Sequence, residues 1–183
     1  MEKNLEKRMY FFTIYQLTGI QAGIQCGHAA LEYINNYGNN EEYADFQKNW
    51  KTWIVLNGGT TNNRFELGTG IPVGTLNQIV EQLQQNAIEY GHFQEPDLND
   101  ALTAVCFLAD ERVWNYEDYP DFLNWVLKNI WYDEPSRRIV ELRMMSTEEL
   151  ISMIPDHYEE WVEFLGGEKN VFLRELIRGK KLA

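Results

Sequence analysis

The segment LTGIQAGIQCGHAALEY, which begins at residue 17, places polar groups where a helix is expected to begin. Thr18, Gly19, Gln21 and Gln25 offer hydroxyl, amide and backbone N–H donors in this segment. The first N–H groups of a helix lack intrahelical partners, and the positive end of the helix dipole attracts anions. The segment therefore predicts a polar ligand site at the helix start.

Two further polar segments are candidates for the same site. The loop NGGTTNN supplies Asn57, Gly58, Gly59 and Thr60, and the turn EPDLND supplies Glu95, Asp97 and Asn99. Carboxylates in the turn could accept hydrogen bonds from ribose hydroxyls or from an exocyclic amine. The alternatives are a solvated turn for the first segment and a capped turn before a strand for the second.

Groups that transfer protons are few in these segments. His28 lies seven residues after Gln21, on roughly the same helical face, but a single helical histidine is more often packed than catalytic. Gln21 does not exchange a proton near neutral pH. If the protein is an enzyme, its candidate catalytic residues are Gln21, His28 and Glu95. His92, Glu95 and Asp97 have no established metal-ligand spacing, so neither a metal ion nor another cofactor is predicted.

Hydrophobic patterns predict the elements that position these segments. Strands are expected at 9–17, 51–59 and 101–109, with a short strand and turn within 91–100. Helices are expected at about 20–37 and 74–90. This order predicts an α/β fold in which a small mixed β-sheet is sandwiched by helices.

Beyond Asp110, short amphipathic segments replace strands. Helices are predicted within 119–132, 146–154, 157–166 and 170–179, and Ser146 with Glu149 forms a capping-box pattern. The tryptophans of this region are expected in its core: Trp114, Trp125, Trp131 and Trp161. We therefore predict an α/β domain at 1–110 and a helical appendage at 111–183 that packs on it.

The first predicted helix carries glycine at every fourth position, at Gly19, Gly23 and Gly27. A glycine inside a helix costs about 1 kcal/mol relative to alanine, so the repeat needs a reason. For Gly23 and Gly27 the prediction is close packing on the sheet or on a neighbouring helix. The helical hydrophobic repeat is carried by Ile20, Ile24, Leu31 and Ile34.

Charge and composition exclude several classes of protein. With 28 acidic and 16 basic residues, the net charge is −12, and the basic residues form no cluster interleaved with aromatics. Duplex DNA or a long RNA is therefore not expected as a partner.

No apolar run approaches the roughly 20 residues of a membrane span. The charged start MEKNLEKRMYFF lacks a signal sequence, which predicts a cytoplasmic protein. Cys26 and Cys106 are expected to be buried free thiols.

The helix GIQAGIQCGHAALEY, following a hydrophobic strand, resembles the first helix of type 2 peptidyl-tRNA hydrolases. Gln25, Cys26, His28 and Ala29 match the family's Ala-Gln-Cys-Ser-His-Ala-like motif, with Gly27 where serine is usual. The stretch FQEPDLNDALTAVCFL is similar to the family's acidic turn and last strand. The resemblance covers about residues 9–109, implies the family's fold and, with the glycine repeat, favours a homodimer. The stretches LNGG, FQEPDLN and LTAV also resemble proteins of bacterial viruses that have no assigned function.

The chain departs from the family where the family's chemistry lies. The family's turn lysines correspond here to Gly19 and Gln21, so both ammonium groups are missing. Glu95 lies near the family's catalytic aspartate turn, and Thr103 corresponds to a family threonine. A hydrolase needs one group that activates water and another that stabilises the oxyanion. The resemblance therefore supports the fold better than the activity.

Two functions follow from these observations. The favoured one is a non-catalytic protein that holds or sequesters a small nucleotide-derived ligand. In a viral, anti-defence setting this ligand would be a host immune signalling nucleotide such as an ADP-ribose derivative or a cyclic dinucleotide. The alternative is a divergent peptidyl-tRNA hydrolase that cleaves the peptide–tRNA ester. A third function, blocking a host partner through the acidic surface and helical tail, is also left open.

Overall fold

The computed structural model describes residues 4–131 and 136–183 and shows a mixed α/β protein. Its strands are β1 (Lys7–Ile14), β2 (Thr52–Gly59), β3 (Tyr90–Glu95) and β4 (Ala101–Asp110). Its helices are α1 (Gly19–Tyr37), α2 (Glu41–Asp45), α3 (Thr75–Gln85), α4 (Glu111–Trp114), α5 (Phe122–Asn129), α6 (Ser136–Arg143), α7 (Thr147–Met153), α8 (Pro155–Phe164) and α9 (Glu168–Ile177). A π-helical turn, Phe46–Trp50, precedes β2, and a 3-10 turn, Pro96–Leu98, follows β3. No helix among the described residues is long and apolar enough to cross a membrane.

The chain divides into two units. The first comprises the described residues up to Asp110 together with Ile177–Ala183, and the second comprises those within Glu111–Leu176. The predicted start of the C-terminal region at residue 111 therefore coincides with the start of the second unit. The last seven residues, however, belong to the first unit rather than to the helical region.

The sheet of the first unit has the strand order β2-β1-β4-β3. β1 pairs with β2 in parallel, whereas β4 is antiparallel to both of its neighbours. β1, β2 and β3 therefore run in one direction, and their carboxyl ends lie at the same edge of the sheet. This arrangement confirms the predicted mixed sheet, and it determines where the loops that follow these strands can meet.

Helices cover both faces of this sheet. α1 packs on the face that carries Met9, Phe11, Ala104 and Cys106. α3 packs on the opposite face and buries its Leu76, Ile79 and Leu83. A Cβ built on Gly58 of β2 would meet both Leu76 of α3 and Phe12 of β1. Because both faces are covered, β4 is apolar along nearly its whole length, as the continuous run at 101–109 predicts.

The inner face of α1 is made of small side chains. Ala22, Cys26, Ala29 and Ala30 are buried there, together with Tyr33. Gly91 of β3 lies directly beneath: a Cβ on Gly91 would meet the carbonyl oxygen of Ala29 and the backbone nitrogen of Tyr33. The close approach of helix and sheet therefore depends on a glycine in the strand.

The predicted packing of Gly23 and Gly27 on the sheet or on a neighbouring helix is wrong for the described residues of a single chain. None of the described residues places an atom within 4 Å of a Cβ built on Gly23 or Gly27. The large aliphatic residues of the predicted helical repeat are likewise exposed to solvent: Ile20, Ile24, Leu31 and Ile34. The helix has apolar residues around most of its circumference, so periodicity alone does not identify the buried side.

Both cysteines are free and buried, as predicted. Burial raises the pKa of the Cys26 thiol to about 12, and it also raises the pKa of Cys106. Neither thiol forms a reactive thiolate near neutral pH.

The C-terminal tail returns to the first unit as an additional edge strand. The N–H of Asn57 donates to the carbonyl of Lys181 at 2.9 Å, and the N–H of Ala183 donates to the carbonyl of Val55 at 3.0 Å. Between them, Leu56 forms a bridge with Leu182. The tail therefore covers the otherwise unpaired side of β2 next to the predicted loop site.

The second unit is a cluster of short helices around Phe122, Trp125, Val126, Leu150 and Trp161. All four predicted helices are present, as α5, α7, α8 and α9, and the Ser146–Glu149 capping box opens α7. α4 and α6 were not predicted. Trp131 packs at the margin of this core, and Trp114 is half-buried in α4.

Candidate functional site

The three predicted binding segments lie at one edge of the sheet. Thr18 and Gly19 follow β1, Asn57–Thr60 form the end of β2 and the residue after it, and Glu95–Asn99 form the end of β3 and its turn. Because β1, β2 and β3 are parallel to one another, all three segments lie at their carboxyl ends. Ligands commonly bind at this edge of an open α/β sheet.

A capping box organises the start of α1. The hydroxyl of Thr18 accepts from the N–H of Gln21 at 3.4 Å, and Gln21 Oε1 accepts from the N–H of Thr18 at 3.0 Å. The side-chain oxygen of Gln21 is therefore occupied within its own helix. In the described part of the chain, the N–H groups of Gly19 and Ile20 have no hydrogen-bond partner. These two groups are donors available to a ligand.

Gln25 joins the helix to the turn after β3. Its Nε2 donates to Glu95 Oε2 at 2.7 Å, and its Oε1 accepts from the hydroxyl of Thr103 at 2.6 Å. Gln25 is only 8% exposed and Thr103 is fully buried, so this network fixes the Glu95 carboxylate firmly. Within residues 4–131 and 136–183, Glu95 Oε1 has no hydrogen-bond partner and is an acceptor for a ligand.

The loop after β2 is bound to α3. The Asn57 side chain accepts from the N–H of Gly59 at 2.8 Å, and Thr60 exchanges hydrogen bonds with Thr75 at 2.8 and 3.2 Å. Gly59 has a φ of +80°, and a Cβ on Gly58 would contact Leu76 and Phe12. Most polar groups of Asn57–Thr60 therefore hold the β2–α3 connection in place, which favours a structural turn over a ligand site for this segment.

The turn after β3 is connected to the long loop between β2 and α3. The N–H of Arg64 donates to the carbonyl of Asn99 at 3.1 Å, and its guanidinium pairs with Asp100 at 2.8 Å. Asn99 and Asp100 both adopt a positive φ, and the Asp97 side chain is exposed. The third predicted segment is thus connected to α1 through Glu95 and to this loop through Asn99.

Sequence reasoning missed the basic residues near this edge. Arg64 lies in the loop that follows Thr60, and its guanidinium also lies 4.8 Å from the centre of the Phe65 ring. Lys181 is paired with Asn57 through its backbone, and the ammonium of Lys180 lies 5.9 Å from the centre of the Phe12 ring. The basic tail was visible in the sequence, but only strand pairing reveals that it returns to β2.

The three candidate catalytic residues are not assembled into one catalytic group. Gln21 is occupied by the capping box, Glu95 accepts from Gln25, and the exposed His28 ring stacks on Phe93 at 4.4 Å. No hydrogen bond joins any two of these three side chains. In the described ranges, no three or more His, Cys, Asp or Glu side chains are arranged to hold a metal ion.

A scan of the chain against protein-family models gives no match, and a comparison with curated proteins gives none either.

Proposed function

We propose that this protein is a non-catalytic binding protein that holds or sequesters a small nucleotide-derived ligand. The ligand would lie at the carboxyl edge of a sheet related to that of type 2 peptidyl-tRNA hydrolases. The observation that carries the proposal is a pair of contacts at this edge. Gln25 of α1 binds Glu95 at the end of β3, and Arg64, in the loop that continues from Thr60, binds Asn99 in the turn after β3. These contacts gather groups of different chemistry around one edge.

Each of these groups suits a different part of a nucleotide. The free N–H groups of Gly19 and Ile20, at the positive end of α1, suit a phosphate. The Arg64–Asp100 ion pair is solvent-exposed and therefore weakly held, so a phosphate can compete for the guanidinium. The fixed Glu95 carboxylate suits a ribose hydroxyl or an exocyclic amine, and the 62% exposed ring of Phe65 suits stacking on a base.

The same contacts argue against turnover. Gln21 has no proton to exchange and its carbonyl oxygen is used by the helix cap. Glu95 accepts a hydrogen bond from an amide, and no neighbouring base or ammonium joins it there among the described residues. Binding without reaction needs only donors and acceptors held in position, which this edge supplies.

A ligand panel tests the proposal directly. Nucleoside mono- and diphosphates, ADP-ribose and cyclic dinucleotides are compared by isothermal titration calorimetry and by the shift in thermal unfolding. We expect at least one compound to bind saturably and to raise the unfolding temperature. Absence of binding and of any shift across the whole panel would contradict sequestration.

A matched pair of charge variants locates the binding edge. Arg64→Gln is expected to weaken binding of the active compound about tenfold, the usual effect of losing one charge-assisted hydrogen bond. Lys48→Gln removes one positive charge from an exposed residue that lies before β2, near the opposite edge of the sheet, and should leave the affinity unchanged. Equal loss in both variants would indicate a general charge effect and not a site at this edge.

The alternative, a divergent peptidyl-tRNA hydrolase, is favoured by one observation. The tail brings Lys181 beside Asn57, so a lysine does accompany the predicted loop although none precedes α1. Incubation with peptidyl-tRNA decides between the two functions. Release of free tRNA that is lost in Lys181→Gln would replace the binding-only proposal, whereas no release would support it.

A further inference from the structure

The outer face of α1 is a continuous aliphatic surface. Ile20 is 81% exposed, Leu31 is 57% exposed and Ile24 is 53% exposed, and Ile34 continues the line at 37%. These residues are separated by four, seven and three positions and therefore share one side of the helix. Side chains of this size are normally the ones that a helix buries.

Gly23 and Gly27 lie between these side chains and have no packing role within a single copy. A Cβ at either glycine would enter open space, since the described residues provide no atom within 4 Å. Alanine would form a better helix at both positions. Packing within the described residues therefore does not account for the two glycines.

We propose that this surface, defined by Ile20, Gly23, Ile24, Gly27, Leu31 and Ile34, is the interface of a homodimer. The two α1 helices cross over their glycines. Without Cβ atoms at the crossing, the helix axes approach to the lower end of the usual range, about 8 Å. The aliphatic side chains of each copy then pack against the backbone and the aliphatic side chains of the other.

The charge distribution favours a second copy as the partner. α1 contains one charged residue, Glu32, whereas the whole chain carries a net charge of −12. Two such chains can associate only through a surface where their negative charges do not face each other. A twofold contact places the same patch on both sides, and this neutral aliphatic patch is complementary to itself. A basic partner would instead be attracted to the acidic surfaces.

The area of the surface is consistent with a weak dimer. The four aliphatic side chains leave roughly 400 Å² exposed per copy, the size of the largest apolar patch on a typical monomer. Two copies and their bordering residues would bury about 1,200 Å², the lower limit for stable interfaces. We therefore expect a weak, reversible dimer.

Sedimentation velocity of the full chain tests this interface over a concentration range of about 1 to 500 µM, which covers the dissociation constants of weak dimers. The wild type should pass from monomer to dimer, and Ile24→Glu with Leu31→Glu should weaken the dimer at least about thirtyfold by introducing facing charges. The control is Met144→Glu, at an 83% exposed methionine of the second unit, which should dimerise as the wild type does. A wild type that stays monomeric, or a double variant that dimerises normally, would overturn the proposal.

Gly27→Leu separates the interface from folding. A Cβ at this position meets open space in one copy and leucine favours the helix, so the unfolding temperature of the monomer should not fall. The dimer should nevertheless weaken at least about tenfold, because the added side chain separates the two helices. Retention of the dimer in this variant would exclude a glycine crossing.

Cross-linking identifies the surface directly. The two native cysteines are buried, so Gly23→Cys provides an accessible thiol. Mild oxidation with diamide should join two such chains through a disulfide, whereas Met144→Cys should remain largely uncoupled. Equal cross-linking of the two variants would show random collision and would count against the assigned interface.

Discussion

The two faces of α1 invert the usual arrangement of a surface helix. The side against the sheet carries small residues such as Ala29 and Ala30, and the side toward solvent carries Ile20 and Leu31. In most helices of this kind the large aliphatic residues are buried. The difference shows that the distance between helix and sheet, and not hydrophobicity alone, decides which side of an apolar helix packs.

Gly91 sets that distance. Its missing side chain lets the backbone of α1 at Ala29 and Tyr33 rest on β3, and most of the residues that α1 buries against the sheet are small. The glycines of α1 itself face away and do not contribute to this contact. Changes on the inner face should therefore affect folding, and changes on the outer face should affect association.

The largest effect is expected for Gly91→Ala. The new Cβ would collide with the backbone of α1, and neither partner atom belongs to a side chain that can rotate away. We expect the free energy of unfolding to fall by about 3 kcal/mol or more. Urea denaturation followed by circular dichroism measures the loss. A change below about 0.5 kcal/mol would show that the close approach is not a determinant of stability.

A second effect of intermediate size concerns the polar end of the inner face. Thr103→Val keeps the shape of the buried side chain but leaves Gln25 Oε1 without its donor. The unpaired acceptor should lower the free energy of unfolding by about 2 kcal/mol. Thr103→Ser, which keeps the hydroxyl, should lose clearly less in the same denaturation experiment. Equal losses for both variants would assign the effect to packing.

On the outer face, Gly23→Ala should stabilise the monomer. No described atom lies near the added methyl group, and alanine forms a helix more readily, so the gain should be about 1 kcal/mol. Thermal unfolding at a protein concentration below that needed for self-association measures it. A loss of stability would mean that the outer face is packed within one chain after all.

The smallest effect is a pH dependence from the inner face. Burial raises the pKa of Cys26 to about 12, above its unfolded value of about 8.5, so only the unfolded chain ionises between these limits. This contribution is intact below pH 8.5 and is lost as the pH rises toward 12, by less than about 1 kcal/mol at pH 9. Urea titrations at pH 7 and pH 9 measure the change, and Cys26→Ala should show a smaller one. An equal change in the variant would assign it to other groups.

The elements of the fold could be predicted largely from local patterns. Aromatic and β-branched runs identify β1 and β4, and Ser146 with Glu149 identifies the start of α7. The end of α3 could not be placed: the helix stops at Gln85 and Ala87 takes a positive φ, although apolar spacing continues to Ile88. The ends of helices depend on the backbone conformation of single residues such as Ala87, which hydrophobic periodicity does not predict.

The candidate site was predictable only in part, for a similar reason. Glu95 could be chosen because it lies in a predicted strand and turn, and Gln25 because it lies near the beginning of the first predicted helix, and the structure joins them. Arg64 and Lys181 could not be identified from the sequence, because the residues they bind, Asn99 and Asn57, are far away along the chain. Contacts of this kind depend on the order of strands in the sheet.

The sequence by itself determined the class of fold, the burial of the cysteines and the start of α1. These features follow from local composition and from the periods of helix and strand, which each segment carries independently. Only the tertiary structure decided which side of α1 faces the sheet, that Gly91 makes the close contact, and that the tail returns to β2. Those outcomes depend on how closely distant segments can approach one another, and packing distance is a property of pairs of segments that no single segment encodes.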